Sequence, residues 1–269
     1  NKTILSKRNN PYTAGYDLGI NNSGKVEMSW INGTKQSIVS TMVLPQEIWH
    51  NIAVTYDGTT AKLYIDGVED ASVDLLNVPA NPTQSFLIAA ADGVNTTSFF
   101  NGGIDEVRVW NVALTEKQLR YVMNQEILSN GLATNGSVIP NTITINDISI
   151  IPWSNLSAYY PMSTYTFTNA QDVSNNHYTA TLRNLTTVDR QTAPLPYETA
   201  NNGSWETPTT WLNSNVQDLP NSVSLSDDLT NVDWNIVKST HTITSTTNKT
   251  VLGFFVTSNT ISATNDSKI

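Results

Sequence analysis

The chain has 269 residues, 39% of them hydrophobic and only 14% charged, with a formal net charge of −9. That balance lacks the basic stripe of a nucleic-acid binder. The absence of cysteine rules out disulfides, thiolate zinc sites and cysteine nucleophiles.

Asn, Thr and Ser make up for the missing charge and suit strands and turns. No apolar run approaches the roughly 20 residues of a membrane span. Asn1 follows no initiator Met and no signal peptide is recognisable, so the chain is expected to be part of a longer protein, with its export signals elsewhere.

The first 110 residues read as strands and turns. Tyr16 to Ile20 alternates, Asn21 to Gly24 turns, and Val26 to Trp30 alternates again before the hairpin signal Asn32-Gly33. Ile48 to Tyr56 predicts the next strand, Asp57 to Thr60 turns it back, and Ala61 to Ile65 returns before Asp66-Gly67. Ser85 to Ala89 and Phe99 to Trp110 supply further strands. This spacing predicts a sandwich or barrel, not βαβ units.

One helix is specified. Thr115 is its N-cap, Gln118 completes a capping box, and Leu114 and Leu119 take the hydrophobic-staple positions. Leu119, Val122, Met123 and Ile127 follow helical spacing up to Asn130-Gly131. Residues 131–152 are polar and β-prone, and are expected to form a linker or edge segment. Residues 153–197 combine an aromatic strand segment with a proline-bearing extended stretch. Residues 198–269 predict a second β-rich module whose short strands suit the first coils of a β-solenoid.

Three stretches carry a resemblance. They are Trp49 to Gly58, Lys62 to Val68, and Gly103-Ile-Asp-Glu-Val-Arg-Val-Trp-Asn-Val-Ala-Leu-Thr-Glu116. In this order they resemble the laminin-G-like, concanavalin A-like jelly roll. The resemblance implies an all-β jelly-roll sandwich over residues 1–130 whose opening strands are missing, with the stretch around Val107 as its closing strand. Leu156 to Met162, Asp172 to Asn176 and Ala180 to Asn184 resemble the opening of such a domain. They either begin a decayed repeat or supply strands to the first sheet. Asn202 to Trp205 and Thr210 to Asn213 resemble a tryptophan motif of large Bacteroidetes surface proteins, many of them type IX secreted and some adhesins.

Glycoside hydrolases of the concanavalin-like fold need two carboxylates of one parity facing a cleft. The signature Glu-x-Asp-x-x-Glu does not occur, Asp105 and Glu106 are adjacent and face opposite ways, and His50, His177 and His241 stand far apart. No catalysis is expected. The resemblance implies a structural calcium ion, with Asp105 on the closing strand and Asp172 and Asn175 in the opening-like segment as candidate ligands. The alternative for Asp105 is hydrogen bonding to nearby backbone amides. Trp30, Tyr16 and Tyr64 are the candidate glycan-stacking residues, and the alternative is that Trp30 and Tyr16 are core.

These readings combine into a non-catalytic adhesion or glycan-binding segment of a large secreted or surface-displayed bacterial protein. Its expected partners are a glycan or surface ligand and the components of its secretion system. A structural stalk module and an accessory domain of a polysaccharide-degrading enzyme are the alternatives.

Overall fold

The computed structural model describes residues 2–75, 77–92, 96–163, 166, 168–183, 193–257 and 260–263. They are mostly strand and irregular backbone, with two eight-residue helices, as the all-β reading requires. The chain divides into two compact units. The first comprises Asn1–Gln46, Ile52–Ile104 and Leu225–Asp227, and the second Glu47–Asn51, Asp105–Ser224 and Asp228–Ile269.

The first unit holds β1 (Lys2–Arg8), β2 (Ala14–Ile20), β3 (Val26–Asn32), β4 (Thr34–Val39), β5 (Ile52–Tyr56), β6 (Thr60–Ile65), β7 (Val68–Asp74) and β8 (Leu87–Ile88). They form two antiparallel sheets, β4-β3-β2-β1-β8 and β5-β6-β7. Side chains alternate across a strand. One face of the larger sheet therefore turns Leu18, Val26, Trp30 and Ile38 onto Ala61, Leu63, Ile65 and Leu75. The Trp30 indole N–H, buried with its ring, donates to the Asn77 carbonyl at 2.9 Å.

The turns follow local chemistry. The Asn21 side chain accepts from Ser23 N and Lys25 N, and Gly24 takes φ 76°. Gly33, at φ 79°, joins β3 to β4. Asp57 accepts from the N–H groups of Thr60 and Thr59, which hold its carboxyl below the usual range. The strand predicted from Ile48 begins only at Ile52.

The second unit opens with β9 (Val107–Trp110) and α1 (Glu116–Met123), which carries the capping box of Thr115 and Gln118. The helix stops at Met123, and Ile127 belongs to a hairpin of β10 (Ile127–Asn130) and β11 (Ala133–Gly136). The cause is Gln125, which is fully buried. Its amide donates to the Tyr121 carbonyl and its oxygen accepts from Val138 N and Ile139 N, so the chain folds back there. Gly131, at φ 66°, makes the turn.

The stretch expected as a linker therefore contains β11 and α2 (Asn141–Ile148). Ile139 and Ile151 are buried in one core with Leu114, Tyr121, Trp153 and Tyr159. Next come β12 (Leu156–Tyr160), β13 (Asn169–Ala170) and β14 (Ala180–Thr181). β12 pairs antiparallel with β9, Leu156 opposite Trp110 and Tyr160 opposite Val107. The opening-like segment thus gives the closing strand its partner.

The remainder stacks in parallel. β15 (Tyr197–Glu198), β17 (Ile236–Ser239) and β19 (Gly253–Val256) form one ladder. β16 (Gly203–Ser204), β18 (Ile243–Ser245) and β20 (Ile261–Ala263) form the other. Successive coils laid in register in this way are the geometry of a β-solenoid. Trp205, Trp211, Val237 and Ile243 fill its interior. Among the described residues no helix is long and apolar enough to cross a membrane.

Candidate functional site

If one face of the larger sheet is core, the other must carry the opposite parity. Along β2 that face presents Gly15, Asp17 and Gly19. Both glycines are required there. A Cβ on Gly15 would stand 2.1 Å from the Lys7 carbonyl oxygen, and one on Gly19 2.4 Å from that of Lys2. Their missing side chains let the β1 backbone pass close to β2 on either side of Asp17, and Gly15 is itself buried there. A polar groove runs over β1 to β4 on this face, lined among others by Arg8, Tyr12, Asp17, Glu27, Ser29 and Lys35.

The lining groups are tied together. Arg8 pairs with Asp17 at 3.0 Å and with Asp92 at 3.1 Å. Its guanidinium lies 4.5 Å from the Tyr12 ring centroid. Ser29 Oγ donates to Asp17 at 2.6 Å, and the Tyr12 hydroxyl donates to the Ser29 carbonyl at 2.9 Å. Burial pushes the Tyr12 phenol up to about 12 despite the Ser29 contact, so it stays a neutral donor. Glu27 accepts from Asn21 Nδ2 at 3.3 Å and lies 3.5 Å from Lys35 Nζ. An ionised carboxylate offers about four acceptor positions, so Asp17 and Glu27 can still receive hydroxyl groups from a ligand.

The aromatic residues singled out from sequence lie elsewhere. Tyr16 and Trp30 are direct cross-strand partners on the core face. Trp30 is 2% exposed and Tyr64 3%. Tyr16 is half-buried against the same core, and burial raises its hydroxyl above the ordinary value. Trp30 and Tyr64 are closed to solvent, and Tyr16 is partly so, on the core side of the sheet.

The candidate calcium ligands are not assembled either. Asp105 Oδ1 accepts from Glu106 N at 2.9 Å and Oδ2 from Ala193 N at 2.6 Å. Burial nonetheless raises its carboxyl above the ordinary range. Asp172 accepts from Tyr159 N, Ser174 N, Ser174 Oγ and Tyr178 N, which makes it the organiser of a turn. Asn175 is exposed. Among the described residues no three His, Asp or Glu side chains gather as a metal site. The donor set present does not fit a calcium ion.

Glu106 belongs to a buried cluster in the second unit. It accepts from the Tyr159 hydroxyl at 2.8 Å and pairs with Arg108. Arg108 also donates to the carbonyls of Val122 and Gln125. Burial pushes Glu106 up to about 7, against the opposing pull of Arg108 and Tyr159. This is a structural clamp between β9, α1 and β12.

The groove itself was missed in the sequence. Its signal was the polar parity of the alternating strands, Asp17 on β2 and Glu27 and Ser29 on β3.

Residues 1–120 match the family described as the Concanavalin A-like lectin/glucanases superfamily. No curated protein matches the chain. Among solved structures, a candidate carbohydrate binding protein from Bacteroides ovatus is 20% identical, with a TM-score of 0.43 over 70% of this chain and 51% of that one. The CBM40 of the Ruminococcus gnavus IT-sialidase is 19% identical, with a TM-score of 0.39 over 44% of this chain and 71% of that one. The heptameric SAP-like pentraxin of Limulus polyphemus is 16% identical, with a TM-score of 0.36 over 56% and 71%. The chain thus spans about half the length of the Bacteroides ovatus protein.

Proposed function

We propose that the first unit is a non-catalytic glycan-binding module, and that the chain belongs to a secreted or surface-displayed bacterial protein that uses it for adhesion. The observation that carries this reading is the polar groove lined by Asp17, Gly19 and Glu27. It is bordered by fixed carboxylates, hydroxyls and a guanidinium, the groups that exchange hydrogen bonds with sugar hydroxyls. The family matched by residues 1–120 includes both lectins and glucanases, so the site must decide between them. A glycosidase needs one carboxyl kept protonated opposite a second, ionised one. Here Asp17 sits against Arg8 and Glu27 beside Lys35, and neither has the apolar setting of a general acid.

The parallel ladders of the second unit favour an additional spacer role, since solenoid coils extend by repetition. A glycan array probed with the intact chain tests the binding reading. Retention of at least one glycan, lost in Glu27→Ala with the melting curve unchanged, is the expected result. An array with no binder contradicts it.

A further inference from the structure

Next to Thr3, which lines the groove, stands an aromatic residue outside the three rings named from sequence. Phe99 is 51% exposed and bridges Thr3 in parallel fashion. Bridge partners project to the same side of a sheet. Thr3 pairs with Gly19, Gly19 with Glu27, and Glu27 with Val39. One row therefore runs Phe99, Thr3, Gly19, Glu27, Val39 across this face, with Thr3 buried at 3% exposure. It begins at an exposed ring, crosses the residue that lacks a side chain, meets a carboxylate and ends at Val39, 37% exposed.

The segment that carries the ring is pinned on both sides. Thr3 N donates to the Ser98 carbonyl at 2.8 Å, and Phe100 N donates to the Ala89 carbonyl at 2.9 Å. The backbone under the ring is thus pre-organised, so only side-chain freedom is lost when a ligand arrives. Three strand spacings separate Phe99 from Glu27, about 14 Å, which suits a short oligosaccharide better than a single sugar. Lys2, Arg8 and Lys35 stand against Asp17, Glu27 and Asp92, so the groove has no net sign with which to select a charged ligand.

Resting on the glycan-binding reading above, we propose that Phe99 is the stacking residue of the groove and that its ligand is a neutral oligosaccharide lying across β1 to β3. The C–H face of a pyranose would cover the ring, and the hydroxyls of the next units would reach Asp17 and Glu27.

Native affinity electrophoresis of the intact chain in gels containing β-glucan, xylan, galactomannan, alginate or chondroitin sulfate tests this. Retardation by at least one of the three neutral polymers is expected. Phe99→Ala should weaken it about tenfold, the effect of truncating one well-placed aromatic contact, and Phe99→Tyr should preserve it. Retardation by alginate or chondroitin sulfate alone overturns the neutral-ligand assignment. Equal retardation of Phe99→Ala and wild type overturns the stacking role while leaving glycan binding standing. No retardation of wild type by any polymer overturns the glycan-binding reading, and this inference with it.

Discussion

Tyr16 and Trp30 face each other directly across β2 and β3, and the next pair along, Asp17 and Ser29, faces the other way. Trp30 also lies 5.7 Å, centroid to centroid, from Tyr56. One step in parity separates the packed core of the first unit from its open polar face. Trp30→Ala should accordingly destabilise the first unit by about 3–5 kcal/mol, a fall in melting temperature on the order of 10 °C. Differential scanning calorimetry checks this. A change below about 1 kcal/mol would mean the ring is not core.

The Glu106 clamp predicts a pH dependence in the second unit. Its folded pKa of about 7 lies above the ordinary 4.5, so the folded state binds the extra proton between those values. The stabilisation is fully present below about pH 4.5 and is lost as pH rises through 7. Arg108, Tyr159, Asp105 and Glu126 are the ionisable groups acting on it. Melting should occur several degrees higher at pH 5 than at pH 8, at roughly 1.4 kcal/mol per unit of pKa displacement. Glu106→Gln should flatten that difference.

Glu206 predicts the opposite limb at lower pH. Burial opposes its ionisation, but bonds from Ser204, Ser245 and Thr247 bring it down to about 2. Lys249 stands 3.2 Å away. A depressed carboxyl contributes stability above its unfolded pKa that disappears as pH falls through the folded one. Glu206→Gln should lower the melting temperature at pH 6 and bring it close to wild type at pH 2, read by circular dichroism.

Chelation should leave the first and second units unmoved. Both Asp105 oxygens and those of Asp172 are already occupied by the protein's own donors. Melting in EDTA and in millimolar calcium should therefore coincide. A rise with calcium would require a ligand set that Asp105 and Asp172 do not make as arranged.

What the residues made legible follows the range of the forces involved. The capping box of Thr115 and Gln118 and the turns at Asp57 and Gly33 depend on neighbours a few positions away, and the structure has them as read. The helix end was misjudged because Ile127 fits helical spacing equally well as the first residue of a strand, and the buried Gln125 decides between them through Val138 and Ile139. Coil-to-coil pairing of Tyr197 with Val237 and of Val237 with Phe254 joins positions separated by unequal lengths of chain. No fixed period announces it. The groove was hidden because its lining comes from ordinary polar residues spread over β1 to β4, while the large aromatics that draw attention are the ones burial claims first.

The central claim is that the groove lined by Asp17, Gly19 and Glu27 in the first unit receives a saccharide. Isothermal titration of the intact chain with the best-retained glycan, comparing wild type with Glu27→Ala, tests it most directly. Saturable binding by wild type, weakened about tenfold or more in a variant that melts at the same temperature, is the predicted result. Undiminished binding by Glu27→Ala would place the glycan elsewhere on the protein and contradict the account.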